Sequence, residues 1–161
     1  PYHTGAPINR EEMLQWINKG IFSGPDTQTF WIITNENRIG LIKIFDLDDV
    51  EDGSPLFDLR VDPNFRGKGI GKQAVTWLTQ YLFETYPILE RIEGTTRADN
   101  IAMRKVFLSC GYIKEGHSRK SWDAENGTKL DTVHYGILRE DWQNKTITPV
   151  QWDDAHLLGP R

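Results

Sequence analysis

Leu56-Phe57-Asp58-Leu59-Arg60-Val61-Asp62-Pro63-Asn64-Phe65-Arg66-Gly67-Lys68-Gly69-Ile70-Gly71-Lys72 is the stretch that decides the fold. Its first six residues alternate, with Phe57, Leu59 and Val61 on one face and Asp58 and Arg60 on the other, which predicts a strand. Asp62-Pro63 ends it and a glycine-rich turn follows. Beyond the turn, Ala74, Val75, Leu78, Tyr81 and Leu82 recur at helical spacing, which predicts a helix with one core face that stops at Pro87. A strand, a glycine turn and a helix start in direct succession form an anion site. The first backbone N–H groups of a helix lack partners, its dipole is positive there, and glycines let a diphosphate approach the chain closely. Arg66, Lys68 and Lys72 add positive charge at that same end, where it is unfavourable to the helix unless an anion neutralises it. A tight turn with solvated lysines is the alternative reading.

The spacing excludes two better-known phosphate loops. A Walker A loop needs Lys-Ser/Thr after its last glycine, whereas Lys72 is followed by Gln73 and the residue five before Gly71 is Arg66. Gly67, Gly69 and Gly71 are spaced Gly-x-Gly-x-Gly, not the Gly-x-Gly-x-x-Gly of dinucleotide folds.

Upstream, Asn9 is an N-cap for a helix with Glu11 and Glu12 in its first turn and Met13, Leu14 and Ile17 as its apolar stripe, ended by Gly20. Phe30 to Thr34 and Ile39 to Phe45 read as strands around an Asn35-Glu36-Asn37 turn, and the acidic run Asp46 to Asp52 reads as a solvated loop. Downstream, Arg91 to Arg97 is a short strand. Asp99-Asn100 opens a helix with Met103, Val106, Phe107 and Cys110 facing the core, and Gly111 ends it. Tyr112 to Trp122 and Lys129 to Leu138 form a hairpin about Asn126-Gly127. The expected fold class is α/β in the α+β sense: one domain over 1–142, with a mixed, mostly antiparallel sheet and helices packed on it. Residues 143–161 form a tail without clear period, which Trp152 is expected to pin to the domain.

Composition bounds the function. With 161 residues the chain suits a single domain, and its net charge of −4 provides no global basic field for nucleic acid. The single cysteine, Cys110, excludes an internal disulfide and argues against a cysteine zinc site, so no metal is expected. No apolar run has the length of a membrane span, and the polar start with Pro1, Gly5 and Pro7 is unlike a signal peptide. A cytoplasmic protein is expected. The chain starts at Pro1 rather than Met, leaving room for a preceding first strand.

The pattern Arg-x-x-Gly-x-Gly of Arg66, Gly69 and Gly71, preceded by Val61 to Phe65, resembles the coenzyme A loop of the GNAT N-acetyltransferase superfamily. Asn100, Met103, Val106, Gly111 and Tyr112 resemble that family's Asn-led helix. Asp131 to Leu138 followed by Arg139-Glu140-Asp141-Trp142 is similar to the branch containing ribosomal-protein N-terminal and spermidine acetyltransferases. The resemblance spans Phe30 to Trp142.

That resemblance implies a central parallel strand pair, Leu56–Val61 and Arg91–Thr96, splayed to admit the pantetheine arm, and helices on both faces of the sheet. Arg60 and Val61 would bind acetyl-CoA through their main chains. The N–H groups of Arg66, Gly67, Lys68, Gly69, Ile70 and Gly71 would take the pyrophosphate, beside Lys72. Asn100 would bind near the pantetheine, or else serve only as an N-cap. A neutral amine would attack the thioester directly, with a backbone N–H of Leu59–Val61 polarising the carbonyl. Asp58 is the leading catalytic residue, as the base; Glu93 and His134 are weaker candidates. Where many members carry a tyrosine as acid to the thiolate, this chain has Phe107; Ser109 faces elsewhere, and nothing marks Cys110 as an acyl carrier.

The acceptor expected is a primary amine, on a small cationic molecule or a protein N-terminus, drawn by the acidic run if that run is a lip rather than a plain loop. Trp16, Trp31 and Trp122 are candidates for lining its pocket or else belong to the core. A monomer or homodimer is expected. The competing functions are a non-catalytic acyl-CoA sensor, which Phe107 would permit, and a nucleotide-binding module.

Overall fold

The computed structural model of the protein describes residues 9–51, 53–124 and 127–152. Helix α1 (Arg10–Asn18) starts at Asn9, whose side chain accepts the Glu12 N–H at 2.9 Å. Its apolar stripe is not a core face: α1 buries no residue, and Leu14 and Ile17 are exposed. Strands β1 (Gln28–Thr34) and β2 (Asn37–Phe45) form a hairpin closed by Asn35 and Glu36, both at positive φ (44° and 66°), which is the geometry of a tight hairpin turn. Strand β3 (Leu56–Val61) pairs antiparallel with β2, giving a three-stranded sheet β1-β2-β3.

Helix α2 (Ile70–Thr85) crosses from this sheet to strand β4 (Arg91–Arg97), and helix α3 (Ile101–Ser109) follows. Strands β5 (Ile113–Asp123) and β6 (Lys129–Leu138) complete a second antiparallel sheet, ordered β4-β6-β5. The hairpin turn was read as Asn126-Gly127; Asn126 lies outside the described residues, and Gly127 has the positive φ of 76° that the turn requires.

The core joins the two sheets under the helices. Ile42 and Ile44 of β2, Val75, Leu78, Leu82 and Phe83 of α2, Ile92 of β4 and Val133, Tyr135 and Ile137 of β6 share one buried cluster with Phe107 and Tyr112. Of the stripe expected on α3, only Phe107 is fully buried; Met103, Val106 and Cys110 pack at its margin. The acidic run is more than a solvated loop. Leu47 and Val50 turn into the core and the Leu47 N–H is held by the Asp26 carbonyl at 3.0 Å, so the run is anchored by its apolar residues. Asp52 and the side chain of Asp49 lie outside the described residues.

A short helix, α4 (Arg139–Asn144), was not foreseen; six residues are too few to show a period. Arg139 donates to the carbonyls of Leu89, Phe83 and Tyr86 at 2.7, 2.9 and 2.7 Å, capping the last turn of α2 with a cation. Trp152 does not pin the tail, being 65% exposed. Buried Asp141 instead anchors Thr146 and Thr148 at the start of that segment, accepting from both hydroxyls and the Thr148 N–H, each at 3.0 Å. The Thr148 N–H, foremost among these donors, holds the Asp141 carboxyl below the usual carboxylate range. We expect Asp141→Ala to cost about 1–3 kcal/mol in urea unfolding. The native residue's contribution should be present above about pH 4 and fade as pH falls through its depressed pKa. Among the described residues no helix is long and apolar enough to cross a membrane.

Candidate active site

Strands β3 and β4 belong to different sheets, and no ladder joins them among the described residues. Which backbone groups face the gap follows from register. The Asp62 N–H donates to the Ile39 carbonyl at 2.8 Å, and the Arg60 carbonyl lies against Gly40, so the even-numbered residues of β3 point their main chains at β2. The main-chain groups of Phe57, Leu59 and Val61 therefore point at the gap. On β4, the bonds Ala98 N–H to Asp131 carbonyl and Arg139 N–H to Glu90 carbonyl, both 2.8 Å, aim the even residues at β6 and leave Glu93, Thr95 and Arg97 facing β3. The Val61 main chain thus faces the gap, with its carbonyl accepting from Arg66 Nε at 3.0 Å. The Arg60 main chain instead serves the β2 ladder, and Leu59 takes its place at the gap.

The inner side of the gap is closed by Phe107. Its ring stacks on Tyr135 (4.7 Å between centroids, 9° between planes), tilts against Phe57 at 5.9 Å, and fills the space a Cβ on Gly94 would need. Phe107 therefore bridges β3 and β4 where hydrogen bonds do not. Tyr112, 5.4 Å from it, is no ready proton donor: burial pushes its phenol far above the ordinary value, while its bond to Thr79 at 2.9 Å opposes the shift.

At the C-terminal end of β3 the glycine loop is open. Gly67 and Gly69 adopt φ of 74° and 80°, and no atom lies within 4 Å of where their side chains would start. The first N–H in α2 to find a helical acceptor is that of Gln73, bonded to the Gly69 carbonyl at 3.1 Å. Those of Ile70, Gly71 and Lys72 precede it and have none. Gly71 lets α2 approach α3, since a Cβ there would sit 3.3 Å from Val106 Cγ2. Open glycines, orphan donors and the cations Arg66, Lys68 and Lys72 together suit a diphosphate. Lys68 Nζ rests 5.0 Å from the centre of the Phe65 ring. Asn100, at the far edge of β4, caps α3 by accepting the Met103 N–H at 3.2 Å and donates to Thr96 Oγ1 at 2.9 Å.

The outer face of the gap carries the titratable groups. Asp58 Oδ2 accepts both Arg60 Nε and Nη2 at 2.7 Å. Glu93 is paired with Arg91, which also reaches Glu115 at 2.5 Å. His134 stands beside Thr95 on the neighbouring strand, with Nε2 at 2.9 Å from Ser118 Oγ. Glu51 of the acidic run lines a pocket of about 320 Å³ with Glu90, Arg91 and Glu93. Trp31 lines a separate apolar groove of about 390 Å³ between β1 and α2, whereas Trp16 and Trp122 are half-buried elsewhere. Cys110 sits between α2 and α3 against the Lys72 carbonyl, and Ser109 Oγ bonds the Val106 carbonyl of its own helix. Sequence reasoning named the Leu59–Val61 segment but did not single out Gly94 or Thr95 at the gap; a glycine inside a strand was the one available signal of a close approach.

The model of the acetyltransferase (GNAT) family matches residues 2–112. The FsC-acetyl coenzyme A-N(2)-transacetylase of Aspergillus fumigatus is 28% identical, over 94% of this chain and 69% of its own length. The prophage-derived N-acetyltransferase YokL of Bacillus subtilis is 25% identical, over 85% of this chain and 75% of its own. In fold, the chain is similar to spermidine N-acetyltransferase from Vibrio cholerae, solved in complex with CoA and spermine. That likeness has a TM-score of 0.74 and 23% identity, covering 87% of this chain and 82% of that one. With the glycine loop, the unladdered strand pair and the Asn-led helix all in place, the chain belongs to the acetyltransferase (GNAT) family and is an acetyl-CoA-dependent N-acetyltransferase.

Proposed function

We propose that the protein acetylates a primary amine, on a small cationic molecule or a protein N-terminus, by direct attack of the amine on acetyl-CoA held in the gap between β3 and β4. The observation that carries this reading is the pair of facing, unladdered backbone rows, Phe57, Leu59 and Val61 against Glu93, Thr95 and Arg97, leading to the open glycine loop. Bound there, acetyl-CoA supplies an activated acyl thioester. The orphan N–H groups from Gly67 to Gly71 and the cations Arg66, Lys68 and Lys72 hold its pyrophosphate. Main-chain groups of Leu59 and Val61 hold the arm, and a gap-facing N–H polarises the carbonyl. Asn100 braces the end of β4 beside it.

The amine comes from the outer face, because α2, α3 and the Phe107 ring close the inner one. Asp58 is the catalytic carboxylate there, taking the proton of the incoming ammonium directly or through water, and Glu51, Glu90 and Glu93, outnumbering Arg91, give its path a negative potential. The buried Phe107 leaves the departing thiolate without a phenolic donor; a thiol is acidic enough to leave without one. The site needs no metal, and neither nucleic acid nor a membrane surface is called for by the net charge of −4. We propose a cytoplasmic enzyme, monomeric or homodimeric, with its domain over residues 1–142.

Release of CoA thiol, followed with a thiol reagent across a panel of spermidine, kanamycin and a short peptide with a free N-terminus, tests this reading. Amine-dependent release supports it, and acetyl-CoA binding without release for any amine would favour the sensor. Asp58→Asn is expected to lower kcat/KM by about 10–100-fold with acetyl-CoA affinity unchanged, as a charge lost at the amine rather than at the cofactor requires.

A further inference from the structure

We infer that the amine this site prefers carries its ammonium as its only charge on an apolar, planar body, and that Trp31 and Leu41 seat that body. This rests on the amine acetylation proposed above and deepens it. Ladder register puts the seat beside Asp58. Trp31 pairs with Leu41 and Leu41 with Arg60. Ladder partners point their side chains to the same side of a sheet, and so do residues two apart on a strand. Asp58, two residues from Arg60 and opposite Lys43, therefore shares a face with Trp31 and Leu41. Ile42 and Ile44 are buried on the other face, so this is the outer one, the side from which the amine comes.

That face is apolar where it runs out to β1. Trp31 is 53% exposed and Ile33 60%. Ile33 pairs with Arg38, whose guanidinium stands over the Trp31 ring, so Ile33 and Trp31 lie side by side. Large apolar side chains exposed together, as distinct from singly, mark a surface that binds something. From Asp58, Leu41 is the diagonal neighbour at about 7–8 Å, and Trp31 lies one strand spacing of about 4.8 Å beyond it. A ring on a short chain from the nitrogen thus lies over Leu41 and meets the edge of Trp31. The other bank of the gap offers no such seat. There Arg91 is paired with Glu93 and Glu115, Glu115 lies across Gly136, and His134 is bonded to Ser118.

Charge decides what the far end of the body is. Lys43 lies opposite Asp58, Arg60 is bonded to it, and the Arg38 guanidinium is 5.0 Å from the centre of the Trp31 ring, so cations flank Asp58 and extend to the seat. A second ammonium or guanidinium placed on Trp31 would meet Arg38 and be repelled, whereas an uncharged ring is not. The acidic groups do not relieve this. Glu51 and Glu90 lie near the starts of β3 and β4, while Leu41 and Trp31 are level with Arg60, toward the end of β3. The carboxylates draw the ammonium in, and the cations then sort amines of equal length by what their far end carries.

A matched pair of amines tests this. 4-Phenylbutylamine and agmatine carry a planar phenyl and a planar guanidinium on the same butyl chain, and butylamine carries neither. Steady-state kcat and KM are measured at saturating acetyl-CoA for the wild type, Trp31→Ala and Arg38→Glu, with circular dichroism as the check on folding. In the wild type kcat/KM should be about 10-fold or more higher for 4-phenylbutylamine than for agmatine or butylamine. Trp31→Ala should raise KM for 4-phenylbutylamine about 10-fold and leave kcat, and kcat/KM for butylamine, unchanged, as loss of a contact to the body alone requires. Arg38→Glu should raise kcat/KM for agmatine about 10-fold by turning repulsion into attraction. Agmatine, spermidine, kanamycin or the peptide used as well as or better than 4-phenylbutylamine by the wild type overturns the inference while amine acetylation stands. So does a Trp31→Ala loss equal for 4-phenylbutylamine and butylamine. A folded wild type that binds acetyl-CoA and acetylates none of these amines overturns both.

Discussion

Replacing Gly69 by Trp is expected to abolish acetyl-CoA binding, weakening it at least about 100-fold, or about 2.7 kcal/mol. Two effects act together. Gly69 holds a φ of 80°, which an L-residue adopts at a cost of about 1–2 kcal/mol. Its side-chain position is open space next to the orphan N–H groups of Ile70, Gly71 and Lys72, so an indole would occupy the place of the diphosphate. Gly127 provides the control. It has a similar φ of 76° and equally open surroundings, but lies on the β5–β6 turn away from the loop. Gly127→Trp should bear comparable strain and retain affinity in isothermal titration. Equal affinity in wild type and Gly69→Trp would show that the cofactor does not use this loop.

Phe107→Ala is expected to cost about 3–5 kcal/mol, measured as a lowered urea midpoint, the largest stability effect among the substitutions considered. The ring is 1% exposed and touches Phe57 of β3, Tyr135 of β6 and Tyr112, with Gly94 of β4 directly above it. A neighbouring truncation on the same helix, Met103→Ala, removes a side chain at the core margin and should cost less. A loss at Phe107 no larger than at Met103 would mean that the sheets are joined by something other than this ring.

The two substitutions also separate what the residue string revealed from what it concealed. The loop was legible because its signals are local: a strand period, glycines and a helix period within one short stretch. Phe107 read as a missing acid because a single position says which functional group is lost, not which space the ring fills. Arg60 and Val61 were placed together at the gap, yet register sends the Arg60 main chain to β2; which residues face which neighbour depends on a pairing partner elsewhere in the chain. In the acidic run, the carboxylates masked Leu47 and Val50, which a period-based reading of so short a segment cannot assign to the core. Trp152 misled for the opposite reason, since an aromatic residue suggests burial, whereas the anchor of that segment is the polar Asp141.

The unladdered gap has a mechanical consequence. A sheet normally unfolds as one cooperative unit because every strand is bonded to the next, and here that continuity is interrupted between β3 and β4. Among the described residues the two halves are coupled through side-chain packing and the overlying helices. An amide-bearing ligand lodged between the rows would act as the absent strand and turn two sheets into one. The substrate would then tighten the fold at each binding event and relax it at each product release. Slowed amide exchange at Leu59, Val61, Thr95 and Arg97 on ligand addition would be the trace of that cycle.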